Sequence, residues 1–200
     1  AVKISTDKTF FSKIQALEFS SVIGSGIALL GWNKPIMCNG ASLAFRKKTF
    51  FEVGGYEGNF QIPSGDDEFL MRKISQRFPN SIRVVANPEC VVATTPQKSI
   101  HDFVHQRLRW AGKWKANDSA FAKFVALFVL IFQISWLFSL GYLIFNSTSI
   151  DIYPIIGFKV GLELIFLWRV SRFLRQPFNW IAFLVLQMLY PIYVICSGLL

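Results

Sequence analysis

Residues 65–110 of the 200-residue chain read GDDEFLMRKISQRFPNSIRVVANPECVVATTPQKSIHDFVHQRLRW, and this stretch decides the fold. It opens on three consecutive acids, Asp66 to Glu68, directly after a glycine. It ends on a segment that combines two arginines with Gln106 and Trp110. Apolar residues recur every three or four positions after the acids and before the last segment, which is the spacing of amphipathic helices.

The patterns in and before this stretch predict α/β structure. Short β-branched runs bounded by turn residues indicate strands, and glycines or prolines mark the helix ends. We expect Gly24-Ser25-Gly26 to end the first helix, because glycine is a poor helix former. The predicted elements are helices over 9–21, 48–53, 66–78 and 99–115, an extended segment over 36–45, a turn over 62–65, and strands over 82–86 and 90–94.

The chain changes character after residue 118. Residues 1–118 carry 16 basic and 10 acidic residues, whereas residues 119–200 carry 5 and 2. The later part supplies long apolar runs, and residues 124–150 contain no charge over 27 positions, which is long enough to cross a bilayer. We therefore divide the chain into a cytoplasmic domain, 1–118, and a membrane domain, 119–200, with spans over 124–150, 152–168 and 177–200.

The distribution of basic residues predicts the orientation of these spans. Arginines lie between the second and third spans, and lysines precede the first, but the 146–151 connection has none. The positive-inside rule then places residues 1–118 in the cytoplasm and 146–151 outside, in a plasma or inner membrane. Lys159 and Glu163 are four residues apart in the second span, so they can pair on one helix face.

The net charge of +9 indicates an anionic partner. The basic residues are scattered and adjoin apolar spans, so a membrane surface and a phosphorylated substrate fit better than nucleic acid, which we do not expect as a partner. The three cysteines, Cys38, Cys90 and Cys196, lie far apart and predict neither a disulfide framework nor a zinc site.

Asp66 and Asp67 are the candidate catalytic acids. A carboxylate at a helix start can project into a cleft and accept a proton from a reacting hydroxyl. The structural alternative is that these acids only cap the helix and complement its dipole. The segment alone leaves both interpretations open.

Gln106, Arg109 and Trp110 form a second candidate group. Gln106 and Arg109 are three residues apart and lie on one helix face. Arginine offers a fork of donors for phosphate oxygens, and an indole offers a flat face for a sugar ring. The alternative is an interfacial helix with an anchoring Trp and a snorkelling Arg. His101 and His105 have metal-ligand spacing but no further ligands, so no metal site is predicted.

Taken in order, these residues resemble part of a known enzyme family. The set comprises Cys38-Asn39-Gly40-Ala41-Ser42-Leu43-Ala44-Phe45-Arg46, Gly54-Gly55-Tyr56, Gly65-Asp66-Asp67-Glu68 and Gln106-Arg107-Leu108-Arg109-Trp110. It is similar to the second half of family 2 glycosyltransferases, in particular membrane-embedded members such as the cellulose, chitin and hyaluronan synthases. The resemblance spans residues 9–115, and the apolar runs after it also match.

The resemblance implies a GT-A fold and inverting transfer from a nucleotide-sugar to a hydroxyl of a saccharide or lipid-linked acceptor, in polysaccharide or glycolipid synthesis. By position, Asp67 matches the family's catalytic base and Asp66 the supporting acid. Gln106, Arg109 and Trp110 match the motif that covers the donor diphosphate and contacts the acceptor. Asn39 and Gly40 match a segment near the acceptor end of the cleft.

The family also implies a divalent metal, Mg²⁺ or Mn²⁺, held by an Asp-X-Asp motif in its donor-binding half. Asp7 is the only Asp before residue 66, so the chain does not supply that motif. We therefore expect this chain to be the C-terminal part of a longer protein that alone does not bind donor or metal normally.

Two other classes of function compete with sugar transfer. The first is a membrane channel or transporter whose pathway is marked by Lys159 and Glu163. The second is a scaffold whose basic helix, 99–115, recruits anionic lipid.

Overall fold

The computed structural model describes residues 1–58, 65–112, 119–146 and 150–198. The fold of these residues is mostly helical, with one small parallel sheet, which is compatible with the predicted α/β class. The predicted turn over 62–65 lies outside the described residues apart from Gly65. In chain order the elements are β1 (Val2–Ile4), α1 (Phe10–Gly31), α2 (Lys47–Glu52), α3 (Asp66–Arg77), β2 (Val92–Thr94), α4 (Ile100–Ala111), α5 (Ala120–Phe145), α6 (Ile152–Phe173) and α7 (Trp180–Gly198).

The sheet pairs the start of the chain with the strand before α4. β1 and β2 run parallel, with Val2 opposite Val92 and Ile4 opposite Thr94. Strand β1 was not predicted, and the predicted strand over 82–86 is wrong, since those residues form no ladder. Residues 36–45 have irregular backbone around a 3₁₀ turn, Gly40–Ser42, where a plain extended segment was expected.

Helix α1 runs ten residues further than the sequence indicated. The prediction that Gly24-Ser25-Gly26 ends it is wrong, because the helix continues to Gly31. A Cβ on Gly24 would lie 2.5 Å from Cγ2 of Val170 and 2.8 Å from Cζ of Phe166. The missing side chain therefore lets α1 and α6 approach closely, and this packing outweighs the low helix propensity of glycine.

Helix α1 contributes to three apolar clusters; two of them join it to the sheet and to the last two helices, and the third joins its Leu29 to Ile36 and to Ala122 of α5. The first cluster joins it to β1, where Val2, Ile4, Ala16 and Phe19 are buried together and Trp110 packs against them. The second joins Leu17 to buried residues of α6 and α7, namely Leu167, Ala182 and Phe183. The helix therefore connects the sheet to the last two helices.

Among the residues that the structure describes, two helices are long and apolar enough to cross a membrane by length and composition, α1 and α5. In the most apolar window of α1, 44% of the residues are buried within the protein, against 11% for α5. Helix α5 therefore turns most of its apolar surface outward, as expected of the first predicted span. Helix α7 is a shorter apolar helix over Trp180–Cys196, and α6 carries the charges of Lys159 and Glu163.

The predicted pair in α6 is formed. Lys159 Nζ lies 2.9 Å from Glu163 Oε2 and donates to Oε1 of Gln187, in α7, over 2.6 Å. Gln187 Nε2 donates to the same Glu163 oxygen, and the Trp136 indole of α5 donates to the Gln187 carbonyl. The four side chains therefore link α5, α6 and α7 through a buried polar network.

The α6–α7 connection rests against the sheet end of the molecule. Arg175 Nη2 lies 2.6 Å from Glu89 Oε1, just before β2. Lys3 Nζ, in β1, donates to the Arg175 carbonyl over 3.2 Å. These contacts place the basic connection between the last two helices on the same side of the helical bundle as the sheet.

Candidate active site

The N-terminus of α3 holds the candidate acids. Gly65 takes φ 106°, a left-handed conformation that favours glycine, and the helix begins immediately after it. Asp67 is half-buried and its Oδ2 accepts a hydrogen bond from the Gly40 N–H over 2.7 Å. Its Oδ1 accepts from the Glu68 N–H over 2.9 Å. Asp66 is exposed beside it. The Asp67 carboxylate is therefore oriented by two backbone donors.

Asn39 and Gly40 lie directly against this carboxylate. The Asn39 side chain caps the 3₁₀ turn, because its Oδ1 accepts from the Ala41 N–H over 3.0 Å. This turn aims the Gly40 N–H at Asp67. A Cβ on Gly40 would lie 3.4 Å from Asp67 Oδ2, which is an ordinary van der Waals distance, so the contact with Asp67 uses the Gly40 N–H and does not require the absence of a side chain.

Helix α4 carries the second candidate group and is fixed at its start. Ser99 Oγ accepts from the Asp102 N–H over 3.0 Å and donates to Asp102 Oδ2 over 2.7 Å. Just before the helix, Gln15 and the Gln97 backbone exchange two hydrogen bonds, of 3.0 and 2.8 Å. The helix is thereby held against α1 independently of its last turn.

A buried ion pair holds the last turn of α4. Arg107 Nε donates to Glu18 Oε1 over 3.1 Å, and Arg107 Nη2 lies 2.5 Å from Glu18 Oε2. Only 2% of the Arg107 side chain and 3% of the Glu18 side chain are exposed. The guanidinium also lies 4.2 Å from the ring centroid of Trp110 and 4.5 Å from that of Phe103.

The three residues of the predicted motif face different surroundings. Trp110 is half-buried, with its ring 5.9 Å from that of Phe19. Gln106 is half-buried, and its Oε1 accepts from Arg107 Nη1 over 2.6 Å. Arg109 is exposed. The role of Arg109 and Gln106 in binding substrate stays a prediction.

A large cleft of about 2190 Å³ separates α3 from the last turn of α4. The predicted site residues Asp66, Asp67, Asn39, Gly40 and Trp110 all contribute to its lining, and so does Arg107. Gln106 and Arg109 are not among the described residues that line it. The structure thus brings the carboxylates and the indole to one space and leaves the Arg109 guanidinium outside it.

The cleft continues from the acids towards the helical bundle. At that end its lining comes from three helices, with Val22 and Leu30 from α1, Val129 from α5, and Tyr190 and Tyr193 from α7 among the contributors. Among the described residues that these helices add, none is charged. The cleft is therefore polar at Asp67 and apolar or aromatic at its other end.

The described residues do not fit a divalent metal. No group of three or more His, Cys, Asp and Glu side chains lies together among residues 1–58, 65–112, 119–146 and 150–198. Both carboxylate oxygens of Asp67 already accept backbone hydrogen bonds. We therefore derive no step of the chemistry from a metal ion.

Sequence reasoning missed Glu18 and Arg107. The pair spans 89 positions, so no local spacing reveals it. One signal was present, because Glu18 is the only charged residue between Ile14 and Gly31. A lone charge in an apolar helix requires a partner if it is buried.

Comparison with known proteins identifies the family of the chain. The family model described as glycosyl transferase family group 2 matches residues 2–196. Searches of curated proteins and of solved structures found no match. Because the family match extends over nearly the whole chain, from β1 through the cleft to α7, the chain belongs to glycosyl transferase family group 2 and is a sugar-transferring enzyme or part of one.

Proposed function

We propose that the cleft transfers a sugar from a nucleotide-sugar donor to a hydroxyl group of an acceptor, with inversion at the anomeric carbon. The observation that carries the proposal is the orientation of Asp67. The Gly40 N–H holds its carboxylate in a cleft that Trp110 also lines. Asn39 and Gly40, which resemble the family's segment near the acceptor, lie beside it. A single displacement on the sugar inverts its configuration and needs only one base.

Asp67 acts as that base. The acceptor hydroxyl loses its proton to the carboxylate as its oxygen attacks the anomeric carbon, and the nucleoside diphosphate leaves. Backbone N–H groups hold the carboxylate in place, so it is preorganised for this transfer. Asp66, exposed at the same helix start, adds negative charge beside it.

Trp110 gives the sugar a surface, and Arg109 serves the diphosphate. An indole face packs against the apolar face of a pyranose ring, while Gln106 and Arg109 supply donors to phosphate oxygens. Arg109 lies outside the described lining of the cleft. It can therefore contact the diphosphate only where the donor extends beyond α4.

The acceptor is lipid-linked. The cleft end away from Asp67 is walled by apolar and tyrosine side chains of α1, α5 and α7, and Leu127 is 55% exposed on α5 while also lining the cleft. An apolar chain can therefore enter from the outer surface of α5 and leave its hydroxyl-bearing head at Asp67.

The enzyme is placed in the membrane through α5 and its neighbours, with the cleft at the cytoplasmic face. The basic α6–α7 connection contacts Lys3 and Glu89, so it lies on the cleft side, as the positive-inside rule requires. Lys159 and Glu163 are engaged with Gln187 and are not among the described residues lining the cleft, which disfavours a transport pathway through them.

Replacing Asp67 by Asn tests the base. We expect the transfer rate to fall roughly 10²- to 10⁴-fold, since the amide cannot take the proton. The rate is measured with membranes of the full-length protein. Asp102→Asn is the matched control, because Asp102 is also an acid in the first turn of a helix but lies outside the cleft lining. A fully active Asp67→Asn enzyme would favour a scaffold and refute the proposal.

A series of alkyl glycosides tests the acceptor. We expect KM to fall about threefold to fourfold for each added methylene that enters the apolar end, up to the length of that end. Val129→Trp, which fills the apolar end, should remove the dependence on chain length, whereas Phe128→Trp, one position along α5 and exposed, should preserve it. Equal KM values across the series would rule out a lipid-linked acceptor.

A further inference from the structure

We propose that Glu18, acting through Arg107, is a positioning residue that sets Trp110 and Gln106 for the substrate. The proposal rests on the proposed function. It adds two residues, Glu18 and Arg107, to which the resemblance assigned no role. The observation behind it is the set of contacts of the buried Arg107 guanidinium. This group donates hydrogen bonds to Glu18 and Gln106 and lies over the rings of Phe103 and Trp110.

The charge of Arg107 is used within the protein. Glu18 neutralises it through a two-point contact, which also fixes the plane of the guanidinium because arginine and carboxylate meet in a fork geometry. Arg107 is thus unsuited to hold a diphosphate, although it lines the cleft. Its planar group serves instead as a fixed support.

That support sets two neighbours in the same turn. The Trp110 ring contacts two groups, the Arg107 guanidinium, whose carbon lies 4.2 Å from the ring centroid, and the Phe19 ring, whose centroid is 5.9 Å away, and both restrict its orientation. Gln106 presents its oxygen to Arg107, which leaves the amide NH₂ as the group that can donate to a ligand. Both orientations depend on Arg107, and that of Arg107 depends on Glu18.

Holding α4 in place does not by itself require an ion pair. The helix is already held against α1 by the Gln15–Gln97 bonds just before its start and by the edge contact between Phe11 and Phe103. A buried ion pair gains little over apolar packing of the same volume, because both charges lose their hydration. The ion pair instead fixes the orientation of the Arg107 guanidinium, which lies next to the cleft.

A double-mutant cycle tests this dependence. Glu18→Gln keeps the size of the side chain and removes its charge, and Trp110→Phe removes the indole. We expect each single variant to raise the acceptor KM about tenfold, which corresponds to about 1.4 kcal/mol. In the Glu18→Gln background, Trp110→Phe should add less than about twofold, because the two residues act in series. Independent effects that multiply would overturn the proposal.

Glu163→Gln is the matched control. It also removes the charge of a paired carboxylate within the fold, but in the network of α5, α6 and α7. It should lower thermal stability and leave the acceptor KM unchanged. If Glu18→Gln likewise changes only stability, the pair is structural and the proposal fails.

A second readout does not need activity. The fluorescence of Trp110 is obtained by subtracting the emission of the Trp110→Phe variant from that of the same protein with Trp110 present, and its quenching by acrylamide is then measured. We expect Glu18→Gln to increase quenching of this component at least about twofold, as the released ring becomes more exposed. An unchanged component would refute the positioning role even if Asp67→Asn behaves as proposed, and an increased one would support it even if transfer itself proved different.

Discussion

Asp102 shows how a carboxylate in a first helical turn behaves when it only caps. Its pKa is lowered, first by the hydrogen bond from the Ser99 hydroxyl and then by His101. Asp67 also lies in the first turn of its helix, α3, but it accepts a hydrogen bond from Gly40 of another segment and lines the cleft. An acid in a first helical turn is compatible with either a structural or a catalytic role, so the sequence segment alone could not distinguish them.

The lowered pKa of Asp102 predicts an acid-sensitive contribution to stability. A folded-state pKa below the ordinary 3.8 means that Asp102 stabilises the fold fully above that value, and the contribution is lost as pH falls through the lower folded-state pKa. The difference in unfolding midpoint between the natural protein and Asp102→Asn should therefore shrink from about pH 5 to about pH 3. A difference that grows on acidification would contradict this assignment.

At the scale of elements, local patterns were enough where the interactions are local. The start of α3 at Asp66, and the Lys159–Glu163 pair, each depend on residues within one or two turns. Strand β1 and the length of α1 depend on partners more than 80 positions away. No periodicity in the sequence encodes those partners, so the strand was missed and the helix was ended too soon.

The close approach of α1 and α6 can be tested at Gly24. Gly24→Ala should lower the free energy of unfolding by about 1–3 kcal/mol, because the added methyl would overlap Val170 and Phe166. Thermal unfolding in detergent measures the change. Gly161→Ala is the control, since a Cβ there meets nothing within 4 Å and should be neutral or stabilising by up to about 1 kcal/mol. Equal effects at both glycines would contradict the packing of these helices.

At the scale of the molecule, the site residues were predictable only as a set. Asn39, Gly40, Asp66, Asp67 and Trp110 were named from an ordered resemblance, and they line one cleft. Arg109 was named by the same resemblance but lies outside that lining. Gln106, named in the same way, also lies outside that lining, whereas Arg107, to which the resemblance gave no role, is buried beside it.

The proposed orientation predicts which side of the membrane each thiol faces. In a background with one cysteine at a time, natural Cys90, which is exposed beside β2, should react with an impermeant maleimide only after the membrane is opened. In the variant Asp151→Cys, the thiol at this exposed position should react in intact cells or right-side-out vesicles. The reverse pattern, or labelling of both from one side, would exclude the proposed topology.

Helix α1 packs on the sheet through one cluster and on α6 and α7 through another, so the same helix fixes the cleft and the bundle. In the proposed orientation, the height of Asp67 above the lipid is then set by the side-chain packing of α1. That height would then select membrane-anchored acceptors by the length of their head groups. The hydroxyl of a short head group would not reach Asp67, and that of a long head group would extend past it. The distance between lipid and Asp67 would therefore limit the number of sugars added.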